Sequence, residues 1–458
     1  MENLNGYYEG GQLKKPAYNN AHRRMLLGAL AIAVMAVYLL YGGYSPQWPV
    51  IGAVYAAFWC VYAIVCYLTI WDKLRRNWEA WLIIGIAAVL LIRYQIYASE
   101  PLLILNLFIV PLVLMLHAVA GAAPVESGRE GGYVIYYLMG WFVYPFKNIP
   151  RFFGAFGSLF KAEGERGKRG RRALAGIAIA VPLLAVVLVL LASADAVIGL
   201  YMNSLFERLS LLAILRYAVT ALIAAMLFYS FFFSLRELPP KPNKAAREPA
   251  RFDPVPLGVA IGILLAVYAL FTVLQFTYLT GWAGLPEGLT YSQYAVSGFS
   301  ELCAVAAINF TLFAAALSRA KSAPWLKGLL IGLTAATGVI IYSGIYRLCM
   351  YISAYGLTFS RLVSMWLMIF MAAALVLCAV RLFFPKLKLV RLLAAMFLIW
   401  YAALNLVNVD AVIAQSVIER AIETGGLSEQ DTYYIEGLSP DADGVRARYA
   451  ELLNDRKP

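Results

Sequence analysis

The chain alternates long apolar runs with short polar connections. The runs are Met25–Tyr41, Pro49–Trp71, Ala80–Ile92, Pro101–Ala120, Ala173–Ser193, Ser210–Ser234, Val255–Tyr278, Val296–Leu317, Pro324–Tyr346, Leu362–Phe383 and Leu392–Val407. They repeatedly reach the ~20 residues that a helix needs to cross the hydrocarbon core of a bilayer. None shows the period-two alternation of a membrane barrel, so the spans are expected to be helices. The pattern predicts an all-α, polytopic transmembrane helix bundle of about eleven spans. Met25–Tyr41 has the look of a secretory h-region, but no small-x-small cleavage pattern accompanies it and many spans follow, so it reads as an uncleaved first helix.

The connections divide the chain. Residues 1–24 are a polar N-terminal segment and 25–120 hold four spans. A basic connection occupies 121–172, two spans follow over 173–234, and 235–254 is a linker rich in Pro, Lys and Arg. Five spans fill 255–408, and 409–458 is an acidic tail. Within the basic connection, Tyr133–Tyr144 (YVIYYLMGWFVY) is apolar but too short to span. With Phe146, Phe152, Phe153 and Phe156 interleaved by Lys147, Arg151 and Lys161, it reads as an interfacial segment on the inner leaflet. The run Arg166–Arg172 (RGKRGRR) then faces anionic headgroups.

Composition supports this class. The chain is 62% hydrophobic and 14% charged, with mean hydropathy +0.72, against roughly 25% charged residues in soluble domains. Its net charge of +12 needs no nucleic-acid partner, because a membrane protein collects Lys and Arg in cytoplasmic loops. With the N-terminus inside, 28 of the 38 bases fall on the cytoplasmic side. Five sit in the opposite connections and helix ends, and five in the tail. The expected orientation is N-terminus cytoplasmic and C-terminus extracytoplasmic, with membrane lipids as the immediate partners.

The tail carries ten acids and five bases. Ala411–Ile422 has helical periodicity ended by Gly425-Gly426, a second helix can follow Leu427, and a third covers Asp443–Leu453. This appendage is where an envelope protein partner would bind.

Chemistry-bearing motifs are sparse. The histidines His22 and His117 sit in no ligand spacing, and neither a phosphate-binding loop nor a nucleophile elbow occurs. Cys60, Cys66, Cys303, Cys349 and Cys378 form no CxxC pair and read as small core residues. No catalytic residue, cofactor or metal is expected. The polar residues gather instead at the outer side: Arg93, Asp195, Arg216, Glu301, Arg347, Arg361 and Asp410. Thr290 to Gln293 has the form of a capping box, and Gln293, Ser297 and Glu301 then share one helix face, with Asn309 deeper. Thr358 is placed to cap the tenth span, which puts Arg361 at its third position, where a cation opposes the helix dipole. Glu301, Asp195, Asp410, a lipid phosphate or a ligand would compensate it. A salt-bridge network that fixes helix register and a ligand or ion site both fit this cluster. Tyr342, Tyr346, Tyr351 and Tyr355 fit an interfacial belt.

Three blocks carry a family resemblance. They are Tyr291-Ser-Gln-Tyr294-Ala-x-x-Gly298-Phe-x-Glu301-Leu302; Tyr351-x-x-x-Tyr355-Gly356-Leu357-Thr358-x-x-Arg361 with Trp366; and Asn408-Val-Asp410-Ala411-x-Ile413-Ala414 with Asp431, Tyr434, Leu438, Asp441 and Ala442 downstream. In this order they resemble a bacterial polytopic membrane family, the 4153/4173 domain-of-unknown-function group. Val409 stands where many relatives are expected to carry proline. The resemblance implies a multi-pass protein of the bacterial plasma (inner) membrane and supplies no activity. Three functions fit: a non-enzymatic envelope scaffold or signalling and stress accessory; an ion-coupled carrier using Glu301 and Arg361; and a membrane-embedded transferase acting on a lipid-linked substrate.

Overall fold

The structure, a computed structural model, describes residues 8–9, 12–13, 20–75, 77–123, 131–160, 211–238, 252–279, 299–321, 323–424 and 429–455. After a two-residue antiparallel hairpin (β1 Tyr8–Glu9, β2 Gln12–Leu13) the described elements are helical. Helices α1 (Asn20–Tyr41), α2 (Trp48–Leu74), α3 (Trp78–Ile96) and α4 (Glu100–Ala122) are followed by α5 (Gly131–Phe142), α6 (Tyr144–Lys147) and α7 (Ile149–Phe160). Next come α8 (Leu211–Glu237), α9 (Pro254–Leu279), α10 (Phe299–Arg319), α11 (Pro324–Tyr355), α12 (Phe359–Phe383) and α13 (Leu389–Asn405). The tail holds α14 (Val409–Thr424), α15 (Glu429–Glu436), a 3-10 turn (Pro440–Ala442) and α16 (Asp443–Asp455).

Eight described helices are long and apolar enough to cross a membrane: α1 to α4, α8, α9, α11 and α12. This fits a multi-pass membrane protein. The expected number of about eleven is met only in part. Ala173–Ser193 lies outside the described residues, as does the capping box at Thr290. The apolar part of α10, Glu301–Leu317, falls short of span length. Helix α13 has 17 residues and makes a ninth candidate only together with α14, from which it is bent by 67°. Helices α9 and α11 begin on proline and α2 carries Pro49 at its second position, where the missing N–H costs nothing in a first turn.

The chain forms two compact units. The first comprises Met1–Ala87, Val110–Pro124 and Tyr133–Pro240, and packs α1 against α8 and α2. Tyr62, Phe228 and Phe232 stack there at ring separations of 5.6 to 6.5 Å. Helices α5 and α7 have twelve residues each, below span length. The chain between α6 and α7 is pinned to α8 at Asn148, whose backbone N–H donates to Ser230 Oγ and whose Nδ2 donates to Ser234 Oγ, both at 2.9 Å. Arg151 pairs with Glu237 at 2.7 Å.

The second unit comprises Ala88–Ile109, Val125–Gly132 and Lys241–Pro458. Helices α9, α10 and α12 pack against α11 around Ile261, Phe313, Leu330, Leu333, Ile340 and Cys378. Asn309 is buried among them and satisfied within the bundle: Tyr268 OH donates to its Oδ1 at 2.7 Å, and its Nδ2 donates to Thr337 Oγ1 at 3.0 Å. The tail folds over a core of its own. Leu102 and Leu404 join Val409, Ile413, Val417, Ile418 and Ile435.

Candidate functional site

The densest polar network of the second unit lies where the turn between α3 and α4 meets the end of α13 and the tail. Burial of polar groups in an apolar chain is tolerated only when hydrogen bonds replace water, and most of this network is built of such bonds. Asn106, inside α4, donates from Nδ2 to Asn405 Oδ1 at 2.7 Å and accepts from Tyr401 OH at 2.7 Å. Asn405 Nδ2 returns to the Tyr401 carbonyl at 2.9 Å, which closes a triangle of buried side chains.

One turn away, Arg93 Nη1 donates to the carbonyl oxygens of Asn405 at 2.6 Å and Val407 at 3.2 Å. Those carbonyls lie at the C-terminal end of α13, where helix dipole and unpaired acceptors both favour a cation. The Tyr97 ring lies 5.0 Å from the guanidinium carbon.

Two carboxylates then hold the tail. Ser99 Oγ donates to Asp410 Oδ1 at 2.9 Å, and the Ser439 backbone N–H donates to Asp410 Oδ2 at 3.2 Å. The Ala98 N–H donates to Asp441 Oδ2 at 2.7 Å. Asn408 acts twice: its Nδ2 donates to the Asp441 carbonyl at 3.0 Å, and its Oδ1 accepts from the Ala411 N–H at 3.1 Å, capping α14. Arg446 gathers the carbonyls of Ile435, Leu438 and Ser439 and also pairs with Asp443.

A second contact joins the tail to the hairpin between α11 and α12. Arg420 reaches both oxygens of Asp431 at 2.9 Å and the Ala354 carbonyl at 2.9 Å. Gly356 has φ +78°, and a Cβ there would lie 3.3 Å from the Arg420 guanidinium, so the position needs glycine twice over. The Phe359 N–H donates to Tyr434 OH at 3.0 Å. That contact corrects one expectation. Thr358 occupies the N-cap position of α12 but makes no side-chain cap, and the tail's tyrosine takes up the first orphan N–H of the helix instead. Burial pushes the Tyr434 hydroxyl above its ordinary pKa, and the Phe359 N–H that it accepts opposes that rise.

Arg361 is answered by backbone rather than by a carboxylate. Its Nη1 donates to the Tyr355 carbonyl at 2.8 Å and to the Gly356 carbonyl, and its guanidinium carbon lies 4.0 Å from the centre of the Tyr351 ring. The negative end of α11 thus offsets a cation that opposes the dipole of α12. Glu301 stands exposed in the first turn of α10 and Arg347 is buried in α11, each engaged in contacts of its own. Arg216 lies in the first unit, its guanidinium carbon 4.6 Å from the Tyr41 ring and 5.5 Å from the Tyr217 ring. Asp195, Tyr294 and Gly298 are outside the described residues.

Of the expected outer charges, then, Arg93 and Asp410 lie in this network, with the motif residue Asn408 beside them, and Arg361 lies apart on the carbonyls of Tyr355 and Gly356. Sequence reasoning missed Ser99, Asn106, Tyr401, Asn405 and the Arg420–Asp431 pair as parts of it. The available signal was Asn106 and Asn405: amides inside apolar runs demand partners. No group of three or more His, Cys, Asp or Glu that could hold a metal occurs among the described residues. The chemistry of the network is that of a latch.

Comparison with curated proteins and with solved structures gives no match. A family model does match, over residues 80–449, and it takes in every element of the latch. The chain belongs to the DUF4153 family, a domain of unknown function.

Proposed function

We propose that the protein is a non-enzymatic scaffold, or signalling and stress accessory, of the bacterial plasma (inner) membrane that presents its C-terminal appendage to an envelope protein. Its N-terminus is cytoplasmic, its appendage extracytoplasmic, and membrane lipids surround the helices. One observation carries the reading: Asp410 and Asp441, the acids best placed for chemistry, are spent on holding the appendage to the turn between α3 and α4. A fixed appendage is preorganised for binding, which lowers the entropic cost of a partner. Tyr433, 81% exposed on α15, is its most prominent apolar group.

The test uses the full chain in its native membrane. A cysteine at Tyr433→Cys is expected to react with an impermeant maleimide from outside whole cells. Deleting residues 409–458 is expected to abolish partner cross-linking and to produce an envelope-stress phenotype. Labelling only after lysis would overturn the orientation. An unchanged envelope after the deletion would overturn the scaffold.

A further inference from the structure

Arg93 is 1% exposed, and two of its five N–H donors are accounted for, by the Asn405 and Val407 carbonyls on Nη1. Nε and Nη2 have no hydrogen-bond partner in the protein among the described residues. These two nitrogens form the side-on edge of the guanidinium, whose N–H groups run parallel and converge on a common acceptor. A buried cation cannot leave that edge unanswered without the full desolvation cost of a charged donor. Its acidic neighbours are Asp441 and Asp410. Both carboxylates are already turned to other donors: Asp441 to the Ala98 N–H, Asp410 to Ser99 and Ser439. Each still has spare lone pairs, because an ionised carboxylate accepts up to about four hydrogen bonds.

We propose that one ordered water sits on the Nε/Nη2 edge of Arg93 and donates to the Asp441 carboxylate, closing a water-bridged pair between α3 and the appendage. A water so placed has three polar partners, Nε, Nη2 and the carboxylate, the usual number for a buried water. A second anion on the edge is disfavoured by the two carboxylates beside it. The inference rests on the docked appendage of the proposed function, and not on any partner that the appendage binds.

A cryo-EM map of the full chain in nanodiscs, in buffer free of phosphate and sulfate and at a resolution that shows ordered water, tests it directly. The expected result is one compact density at hydrogen-bond distance from both nitrogens and from Asp441. A carboxylate placed directly on the edge, a larger polyatomic density, or no density would each overturn it.

Appendage cleavage by protease gives a second readout. Arg93→Lys keeps the charge and loses the edge, and is expected to speed cleavage several-fold. Asp441→Asn keeps the acceptor for Ala98 and weakens the bridge. The double variant is expected to match Arg93→Lys alone, since the bridge is already gone; additive effects overturn the proposal. Stabilisation by added phosphate beyond that of chloride at equal ionic strength would assign the edge to an oxyanion and overturn it as well. If the appendage binds no partner but the water is present, the scaffold fails and this inference stands.

Discussion

Asn106 and Asn405, 299 residues apart in sequence, share a side-chain hydrogen bond of 2.7 Å in the interior of the second unit. Replacing one of them strands the other. Asn106→Leu is expected to destabilise the protein by about 1–3 kcal/mol, because Asn405 Oδ1 and Tyr401 OH lose their partner together. The double variant Asn106→Leu/Asn405→Leu is expected to recover part of that loss, as paired apolar groups leave nothing unsatisfied there. Denaturation of the four corners of the cycle in detergent measures the coupling. A strictly additive cycle would contradict the reading.

Asp410→Ala removes the acceptor of both Ser99 and the Ser439 N–H. A buried donor left unmade costs about 1–3 kcal/mol, so the appendage is expected to open about 5- to 150-fold more often, by the same free energy. Limited proteolysis of the tail in folded protein reads this directly. The spectrum of the membrane helices is expected to stay unchanged.

Gly356 makes a sharper contrast with glycines that face open space. Gly356→Ala forces a side chain into left-handed backbone against Arg420 and is expected to cost about 1–2 kcal/mol. Gly328→Ala, where a Cβ meets nothing within 4 Å, is expected to be neutral or stabilising. Thermal midpoints of the two variants decide the order.

The half-buried hydroxyl of Tyr434 sets a pH limit. Burial raises its pKa above the ordinary 10.0. A group raised on folding contributes stability that is fully present below its unfolded value and lost as pH climbs through the folded one. Docking of the appendage is therefore expected to be flat from neutral pH to about 10 and to weaken above it. Tail proteolysis as a function of pH, with Tyr434→Phe as the reference, checks the alkaline limb; that variant is expected to lose it.

Much of the helix layout was legible in the pattern of apolar runs, because a span is a local property of ~20 residues. The tail was legible too: Gly425-Gly426 and Pro440 mark its breaks, and α14, α15 and α16 lie where they predict. Arg361 shows where such reading ends. Its position in α12 announced an unfavourable charge, but the carbonyls that answer it belong to a neighbouring helix end whose approach is set by a positive-φ glycine. Thr358 shows the same limit, since the group that serves the helix start comes from residue 434. Asn106 and Asn405 each declared a need for a partner, and only the fold shows that they meet each need in the other.

The socket that receives Asp410 and Asp441 is encoded in residues 98 and 99, while the groups that fill it come 311 and 343 residues later. Ribosomal synthesis runs in one direction, so the socket waits through most of translation before its occupant exists. The clasp can close only once residue 441 has been made and its helices threaded correctly, so a closed clasp reports that every span before it is in place.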